Sequence, residues 1–177
     1  MRKTVSILLF TVVVAAVAVS CGSSPKAPTT PDGQPTTIVV LFDRGLEDKT
    51  EDQIDQLNQL VDFMEADLIN RLKGTGYNAE LDNKDEPTAP APGKYVMTVK
   101  IVNYDPGSAA ARVMVGYGAG TCSLDLHYAL KGEAEEPVVS KDHGRASSND
   151  WRDIAVRLNK EMIEDITIKL SSTPSSN

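Results

Sequence analysis

A long run of apolar residues at helical spacing is the feature that most limits the folds open to this chain. From residue 54 onward the apolar positions recur every three or four residues, at Ile54, Leu57, Leu60, Val61, Met64, Leu68 and Leu72. Thr50 and Gln53 have the capping-box spacing just before this run, and Gly74 and Gly76 follow it. These signals predict one amphipathic helix over residues 50–73, which has to bury its apolar stripe against a second layer.

That second layer is predicted to be a β-sheet. Residues 38–42 form a continuous apolar run typical of a buried strand, and residues 77–81 are predicted as a short strand. Apolar and polar residues alternate along residues 94–104 and, most regularly, along residues 121–131. In the last run one face carries the apolar positions and the other carries Ser123, Asp125, His127 and Lys131. Cys122 shares the apolar face, so its thiol is predicted to be buried.

A second amphipathic helix is predicted to begin near residues 148–150. Its apolar stripe consists of Trp151, Ile154, Ala155, Leu158, Met162, Ile166 and Leu170. Residues 137–140 are expected to return as a hairpin partner, and residues 142–144 to form a loop or bulge. The order strand, helix, several strands, helix predicts an α+β (α/β two-layer) sandwich, in which two amphipathic helices cover one face of a mixed or antiparallel sheet.

The N-terminus has the features of an export signal. Arg2 and Lys3 precede an apolar run over residues 5–19, which is too short for an ordinary membrane span. The run ends in Ala-Val-Ser-Cys21, which resembles the lipobox of bacterial lipoproteins. The resemblance implies that residues 1–20 are removed and that Cys21 carries a lipid. Gly22, where an aspartate would resemble an inner-membrane retention signal, favours the outer membrane, facing the periplasm; the alternative is a plain secretory signal.

The rest of the chain divides by composition. Residues 21–37 are rich in Pro, Ser, Thr and Gly and are expected to be a disordered tether after the lipidated cysteine. Residues 38–170 are expected to be one domain, and residues 171–177 a frayed tail. The net charge is −7, and it becomes −9 without the signal peptide. No basic stripe offsets this charge, so nucleic acid is not expected as a partner.

Three glycines at alternate positions, Gly116, Gly118 and Gly120, raise the question of a phosphate-binding loop. Such loops need G-x-x-x-x-G-K-[ST], or G-x-G-x-x-G between a strand and a helix. Here the spacing is G-x-G-x-G, no lysine is present, and a strand follows. The glycines are therefore expected to permit positive φ or close backbone approach. Residues 108–115 are compatible with either a strand or a short helix.

The nine-residue motif Arg112-Val-Met-Val-Gly116-Tyr117-Gly118-Ala119-Gly120, followed by an alternating strand, resembles a family of small bacterial lipoproteins built on a domain of unknown function. That family supplies no catalytic residues. Its hairpin after the motif strand usually carries an Asp and a Gly, of which Gly132 alone corresponds here. The strand–helix–strand opening is also similar to the periplasmic domains of penicillin-binding-protein activators and curli-secretion lipoproteins.

These observations lead to a non-catalytic binding or assembly module, with no cofactor, anchored to the membrane by lipid and docking on an envelope protein or on its own copies. Its contact patch is expected at Arg112, Gly116, Tyr117, Gly118 and Gly120, with Met114; Arg112 is expected to have a structural role. One alternative is an envelope hydrolase with a metal site near Asp125, His127, Asp142 and His143. A second alternative is a small-ligand carrier with an apolar pocket.

Overall fold

The part of the chain that the structure describes contains five strands and two helices, in the order strand, helix, four strands, helix. The computed structural model describes residues 26–30, 33–82, 88–107, 120–148 and 150–172. In chain order the elements are β1 (Thr37–Asp43), α1 (Glu51–Thr75), β2 (Asn78–Leu81), β3 (Lys94–Asp105), β4 (Cys122–Lys131), β5 (Val139–Ser147) and α2 (Trp151–Ser172).

The strands form one mixed sheet with the order β2-β1-β3-β4-β5. β1 is parallel to both of its neighbours, whereas β4 is antiparallel to β3 and to β5. The continuous apolar run at the start of the domain becomes the parallel strand β1, in which Ile38, Val39 and Val40 are at most 1% exposed. The predicted α+β fold with a mixed sheet and two helices is confirmed.

The core lies between the two helices and one face of the sheet, here called the helix face. The apolar stripes of α1 and α2 pack there against the inward residues of β1, β3 and β4. The capping box at the start of α1 is confirmed, because Gln53 N donates to Thr50 Oγ1 and Thr50 N donates to Gln53 Oε1. The prediction for its end was partly wrong: Gly74 lies inside the helix, and Gly76, with φ 108°, is the left-handed cap.

β4 has the alternation that the sequence predicts. Cys122, Leu124, Leu126, Tyr128 and Leu130 are each at most 1% exposed. The thiol of Cys122 is therefore buried, and it donates to the carbonyl of Ser147 at 3.2 Å. The prediction for residues 142–144 was wrong, since they lie within β5 and pair with β4 in continuous register. β5 escaped the pattern because most of its side chains are polar on both faces.

Part of the segment before Ile38 contacts the domain. Ala27 is 8% exposed and belongs to the core, and its amide donates to the carbonyl of Thr75. Thr36 is 4% exposed and donates its hydroxyl to the carbonyl of Pro28. Contacts with the domain therefore begin ahead of β1. Within the described ranges, no helix is both long and apolar enough to cross a membrane.

Candidate functional site

A cleft of about 220 Å³ opens at the carboxyl ends of the parallel strands β1 and β3. The loop after β1 forms one wall, the first turns of α1 form a second, and the last residues of β3 form the third. The lining residues are Arg44, Gly45, Lys49, Gln53, Gln56, Leu57 and residues 101–106. Ligands of open α/β sheets commonly bind outside the carboxyl ends of parallel strands, so this cleft is the first candidate site.

The wall between β1 and α1 has an unusual backbone. Gly45 has φ 59°, and a side chain there would come within 2.8 Å of the carbonyl oxygen of Ile101. Asp48 has φ 60° and is the one non-glycine residue with positive φ in the described part of the chain. The Asp43 carboxylate accepts a hydrogen bond from Gly45 N at 3.0 Å and fixes the turn. Backbone held in such sparsely populated conformations is concentrated at functional sites.

Arg44 connects the loop after β1 to α1 through hydrogen bonds and ion pairs. Its guanidinium donates to Asn58 Oδ1 at 2.7 Å and to Asp62 Oδ1 at 2.8 Å, and it lies 3.5 Å from Glu65 Oε1. Burial and the nearby charge of Asp62 raise the pKa of Glu65, although the Arg44 cation opposes this shift. Because the charge of Arg44 is engaged by α1, Lys49 is the lining cation that remains for a bound partner.

The third wall contains a β-bulge. The register of β3 against β4 shifts between Ile101 and Asn103, so Val102 is the extra residue. Val102 is 59% exposed, and Leu46, next to the lining residue Gly45, is 37% exposed. Two of the three exposed large apolar residues in the described ranges therefore flank the cleft. Burial raises the pKa of the lining residue Tyr104 to about 12, so its hydroxyl stays neutral.

The two glycines that flank residues 108–119 lie beside this cleft. Gly107 and Gly120 have φ 71° and 68°, and a methyl group on Gly107 would collide with Gly120 O and lie 2.9 Å from Cys122 N. We call this crossing of main chains the neck. The positive φ of Gly120 confirms the expectation for that glycine. Arg112, Gly116, Tyr117, Gly118 and residues 108–115 lie outside the described residues, as does Cys21.

The opposite side of the sheet, here called the outer face, carries a row of charged and polar residues across four strands. Asp43, Lys100, His127 and Asp142 are successive register partners on β1, β3, β4 and β5. Lys100 Nζ lies 3.3 Å from Asp43 Oδ2, and His127 Nδ1 lies 2.7 Å from Asp142 Oδ1. In the next pair on the same face of β3 and β4, Asn103 donates to Asp125 at 3.4 Å.

The two histidines do not meet. His127 and Asp125 share the outer face, as the alternation predicts, but His143 pairs with Leu126 and lies on the helix face. The proposed grouping of Asp125, His127, Asp142 and His143 around one metal was therefore wrong. It placed residues 142–144 in a loop, where side chains could converge, whereas a strand separates them onto two faces. Across the described ranges, no group of three His, Cys, Asp or Glu side chains is arranged so that it could hold a metal ion.

His143 instead belongs to a charged cluster between β5 and α2 that the sequence did not reveal. Its Nδ1 is 3.3 Å from Glu161 and its Nε2 is 3.4 Å from Asp165. Asp165 Oδ2 also accepts from the Tyr128 hydroxyl and from Lys141 Nζ, both at 2.7 Å. Burial raises the pKa of Tyr128, and its bond to Asp165 raises it further. Burial acts to raise the pKa of Asp165, but Lys141 and Tyr128 outweigh it and lower that pKa.

Replacing Asp165 with asparagine is expected to lower the free energy of unfolding at pH 7 by about 1–2 kcal/mol, because Lys141 and Tyr128 lose a charged acceptor. The lowered pKa of Asp165 means that its contribution is present above the unfolded-state pKa and disappears as the pH falls through the folded value. Urea unfolding at pH 7 and pH 3 checks this. An equal difference between the two proteins at both pH values would contradict it.

Comparison with known proteins identifies a family whose function is unknown. A solved structure titled "Crystal structure of uncharacterized protein" is similar at 12% identity and a TM-score of 0.38, covering 82% of this chain and 94% of that one. No curated protein matches. Residues 16–162 match the family described as "Domain of unknown function (DUF4410)". The match spans most of the chain, and the protein therefore belongs to the DUF4410 family.

Proposed function

We propose that this protein is a lipid-anchored lipoprotein of the bacterial cell envelope, and that its cleft is the contact surface of a non-catalytic binding or assembly module. The lipobox ending at Cys21 supports the anchor, and Gly22 supports the outer membrane as its location. Membrane contact then comes through the lipid, and the partner is an envelope protein or a second copy of the chain.

One observation carries the binding role: several costly features of the fold coincide at the cleft. The left-handed turn at Gly45 and Asp48, the bulge at Val102 and the neck at Gly107 all lie on or beside its walls. Bulges and strained backbone cluster next to functional sites because they aim side chains at a ligand. The exposed apolar side chains of Val102 and Leu46 beside the cleft add surface of the kind that a protein partner buries.

The glycine motif supports the same placement. Asp105 and Pro106 line the cleft, and residues 108–119, here called the motif segment because they contain the motif up to Ala119, connect Gly107 to Gly120 in the sequence. In this proposal Arg112, Gly116, Tyr117 and the cleft act as one docking surface. A bound small ligand in place of a protein would turn the module into a carrier, and the experiment below separates the two.

The test is site-specific photocrosslinking in intact cells. A photoreactive residue is placed at Lys49 in the cleft, at Tyr117 in the motif, and at Ile168 as the control. Ile168 is 59% exposed and lies far from the cleft. Its neighbour Thr167 is hydrogen-bonded to Tyr77, which follows the C-terminal end of α1, whereas the cleft lies at the N-terminal end of that helix. The expected result is the same discrete protein adduct from Lys49 and Tyr117 and none from Ile168. Mass spectrometry identifies the adduct, and lipid labelling in the same cells shows whether Cys21 is acylated.

Other outcomes would overturn the binding proposal. Adducts of equal yield from all three positions would mean that the contact is not localised at the cleft. An adduct of small mass from Lys49 would indicate a carrier. Protein adducts from Tyr117 but none from Lys49 would exclude the cleft from the docking surface.

A further inference from the structure

Three side chains on the outer face have the arrangement of a nucleophilic triad. His127 Nδ1 lies 2.7 Å from Asp142 Oδ1, and His127 Nε2 lies 3.3 Å from Ser140 Oγ. A carboxylate on one ring nitrogen and a hydroxyl on the other is the relation by which such triads are recognised, whatever the order of the residues in the chain.

The carboxylate determines which nitrogen carries the proton. Asp142 can only accept when ionised, so a neutral His127 places its proton on Nδ1 and donates it to Asp142. Its Nε2 is then an acceptor that faces the hydroxyl of Ser140. This is the protonation state in which an imidazole can take a proton from serine.

The sheet register produces the arrangement. Asp142 is the register partner of His127 on the edge strand β5, and Ser140 lies two residues away on the same face. One histidine is therefore held between two side chains of the neighbouring strand.

We propose that the outer face carries an acyl-transfer site in which Ser140 is the nucleophile, His127 the general base and Asp142 a positioning residue. This activity goes beyond the binding role proposed above, because it lies on the outer face of β4 and β5 and shares no residue with the cleft. It also departs from the expectation that the chain has no catalytic function, and it restricts the word non-catalytic in the binding proposal to the cleft.

The neighbouring side chains define the substrate class. Ser140 is the register partner of Ala129, and Thr98 is the next partner along the same row. These small residues leave a shallow surface beside the hydroxyl, which suits a short acyl group and provides no slot for a long chain. The substrate is therefore a short-chain ester, such as an acetyl ester, on a molecule that can lie across an open sheet.

The reaction balances with water as the second substrate. Ser140 Oγ forms a bond to the carbonyl carbon of the ester while its proton passes to His127 Nε2. The imidazolium then returns that proton to the departing alkoxide as the ester C–O bond breaks, leaving acyl-Ser140. Water, deprotonated by the same nitrogen, then adds to the acyl carbon. The imidazolium returns the proton to Ser140 Oγ as its bond to the acyl group breaks, which releases the carboxylic acid and restores the serine.

The exposure of the site sets the size of the effect. The side chains of His127 and Asp142 are 38% and 88% exposed, so water competes for their hydrogen bond. General-base assistance is therefore expected at the low end of its usual range, about 100-fold.

The first test is covalent labelling of the purified mature protein with a fluorophosphonate, read by peptide mass spectrometry. Ser123 is the matched control, because it lies on the outer face of β4 and its register partners are Asp105 and Ala146. We expect Ser140 to be labelled about 100 times faster than Ser123. Equal labelling rates at the two serines would overturn the proposal.

The second test is hydrolysis of p-nitrophenyl acetate by variants whose fold is checked by circular dichroism. Ser140→Ala is expected to abolish the activity and Ser123→Ala to leave it unchanged. His127→Ala is expected to be inactive but partly restored by free imidazole, measured as the rate above that of imidazole with Ser140→Ala, because imidazole itself cleaves p-nitrophenyl acetate. Asp142→Asn is expected to lower kcat without changing KM. Activity retained by Ser140→Ala, or no restoration of His127→Ala by imidazole, would refute the assignment, since a purely structural histidine is not replaced by a free base.

Discussion

Replacing Asn159 with aspartate is expected to lower the free energy of unfolding at pH 7 by about 3–5 kcal/mol, the range found when a buried charge is left without compensation. Asn159 is fully buried between the helices. Its amide nitrogen donates to the carbonyl oxygen of Met64 at 3.1 Å and to Asp67 Oδ2 at 2.9 Å. An aspartate would turn the second contact into two facing carboxylates, with Arg71 as the cation that already bonds to one of them.

Asn159→Leu is the matched control, because it keeps the number and branching of the side-chain heavy atoms and removes the polar group. Asn159 Oδ1 is buried and has no hydrogen-bond partner, so part of the polar burial is already unfavourable in the native protein. Asp67 retains Arg71 as a partner at 2.7 Å. Two methyl groups are larger than the amide atoms that they replace, so the leucine variant is expected to lose about 1–3 kcal/mol, the usual cost of overpacking a core, and less than the aspartate variant at pH 7.

The pH dependence separates charge from shape. Burial and the charge of Asp67 would raise the folded-state pKa of the introduced carboxyl above its unfolded value of about 3.9. The folded state then holds the proton more tightly, so the penalty is absent below that pH and grows as the pH rises to 7. Urea unfolding of the two Asn159 variants at pH 4 and pH 7 measures this. A gap between the aspartate and leucine variants that is as large at pH 4 as at pH 7 would show that packing, not charge, is responsible.

Asn159 also shows where prediction of the core from the sequence stops. The sequence correctly predicts the apolar stripe of α2 from Ile154, Leu158 and Met162, because apolar side chains at helical spacing reveal the buried face of a helix. Asn159 and Thr167 lie on the same face and are fully buried, but their polarity hides them. Their burial depends on partners on other elements, Met64 for Asn159 and Tyr77 for Thr167, and the sequence does not pair them.

The strands show the same difference between buried apolar residues, which the sequence reveals, and buried polar residues, which it does not. β4 was predicted with its two faces because one side is apolar and the other polar. β5 is polar on both faces: Lys141, His143 and Arg145 face α2 and reach Glu161 or Asp165. Alternation carries no signal when the buried partner is itself charged. Both the mistaken metal grouping and the unrecognised charged cluster follow from this one strand.

Less of the candidate site than of the fold could be predicted from the sequence. The sequence drew attention to the glycine motif, and the positive φ of Gly120 agrees with that expectation. The cleft itself depends on the bulge at Val102 and on the turn at Gly45 and Asp48, which are set by register and loop closure. The relation of Ser140 to His127 likewise arises from the pairing of β4 with β5, which no short-range pattern specifies.

Replacing Gly107 with alanine is expected to lower the free energy of unfolding by more than about 2 kcal/mol. The left-handed backbone at φ 71° alone costs about 1–2 kcal/mol for a residue with a side chain. The new methyl group would also meet main-chain atoms of Gly120, Thr121 and Cys122, with Thr121 C and Cys122 N at 2.9 Å. These atoms belong to the main chain that leads into β4, and they cannot rotate away as a flexible side chain would.

Gly74→Ala provides the control of opposite sign. Gly74 lies in the last turn of α1, its φ is not positive, and no atom lies within 4 Å of an added methyl group. Alanine there is expected to raise the free energy of unfolding by about 0.5–1 kcal/mol through helix propensity. Urea unfolding of both variants measures the contrast, and a loss at Gly107 no larger than the change at Gly74 would contradict a close crossing at the neck. The clash of the new methyl group can be relieved only if Gly107 and Gly120 move apart. Gly107→Ala is therefore also expected to reduce crosslinking from Lys49 in the folded protein, because the neck lies beside the proposed docking surface.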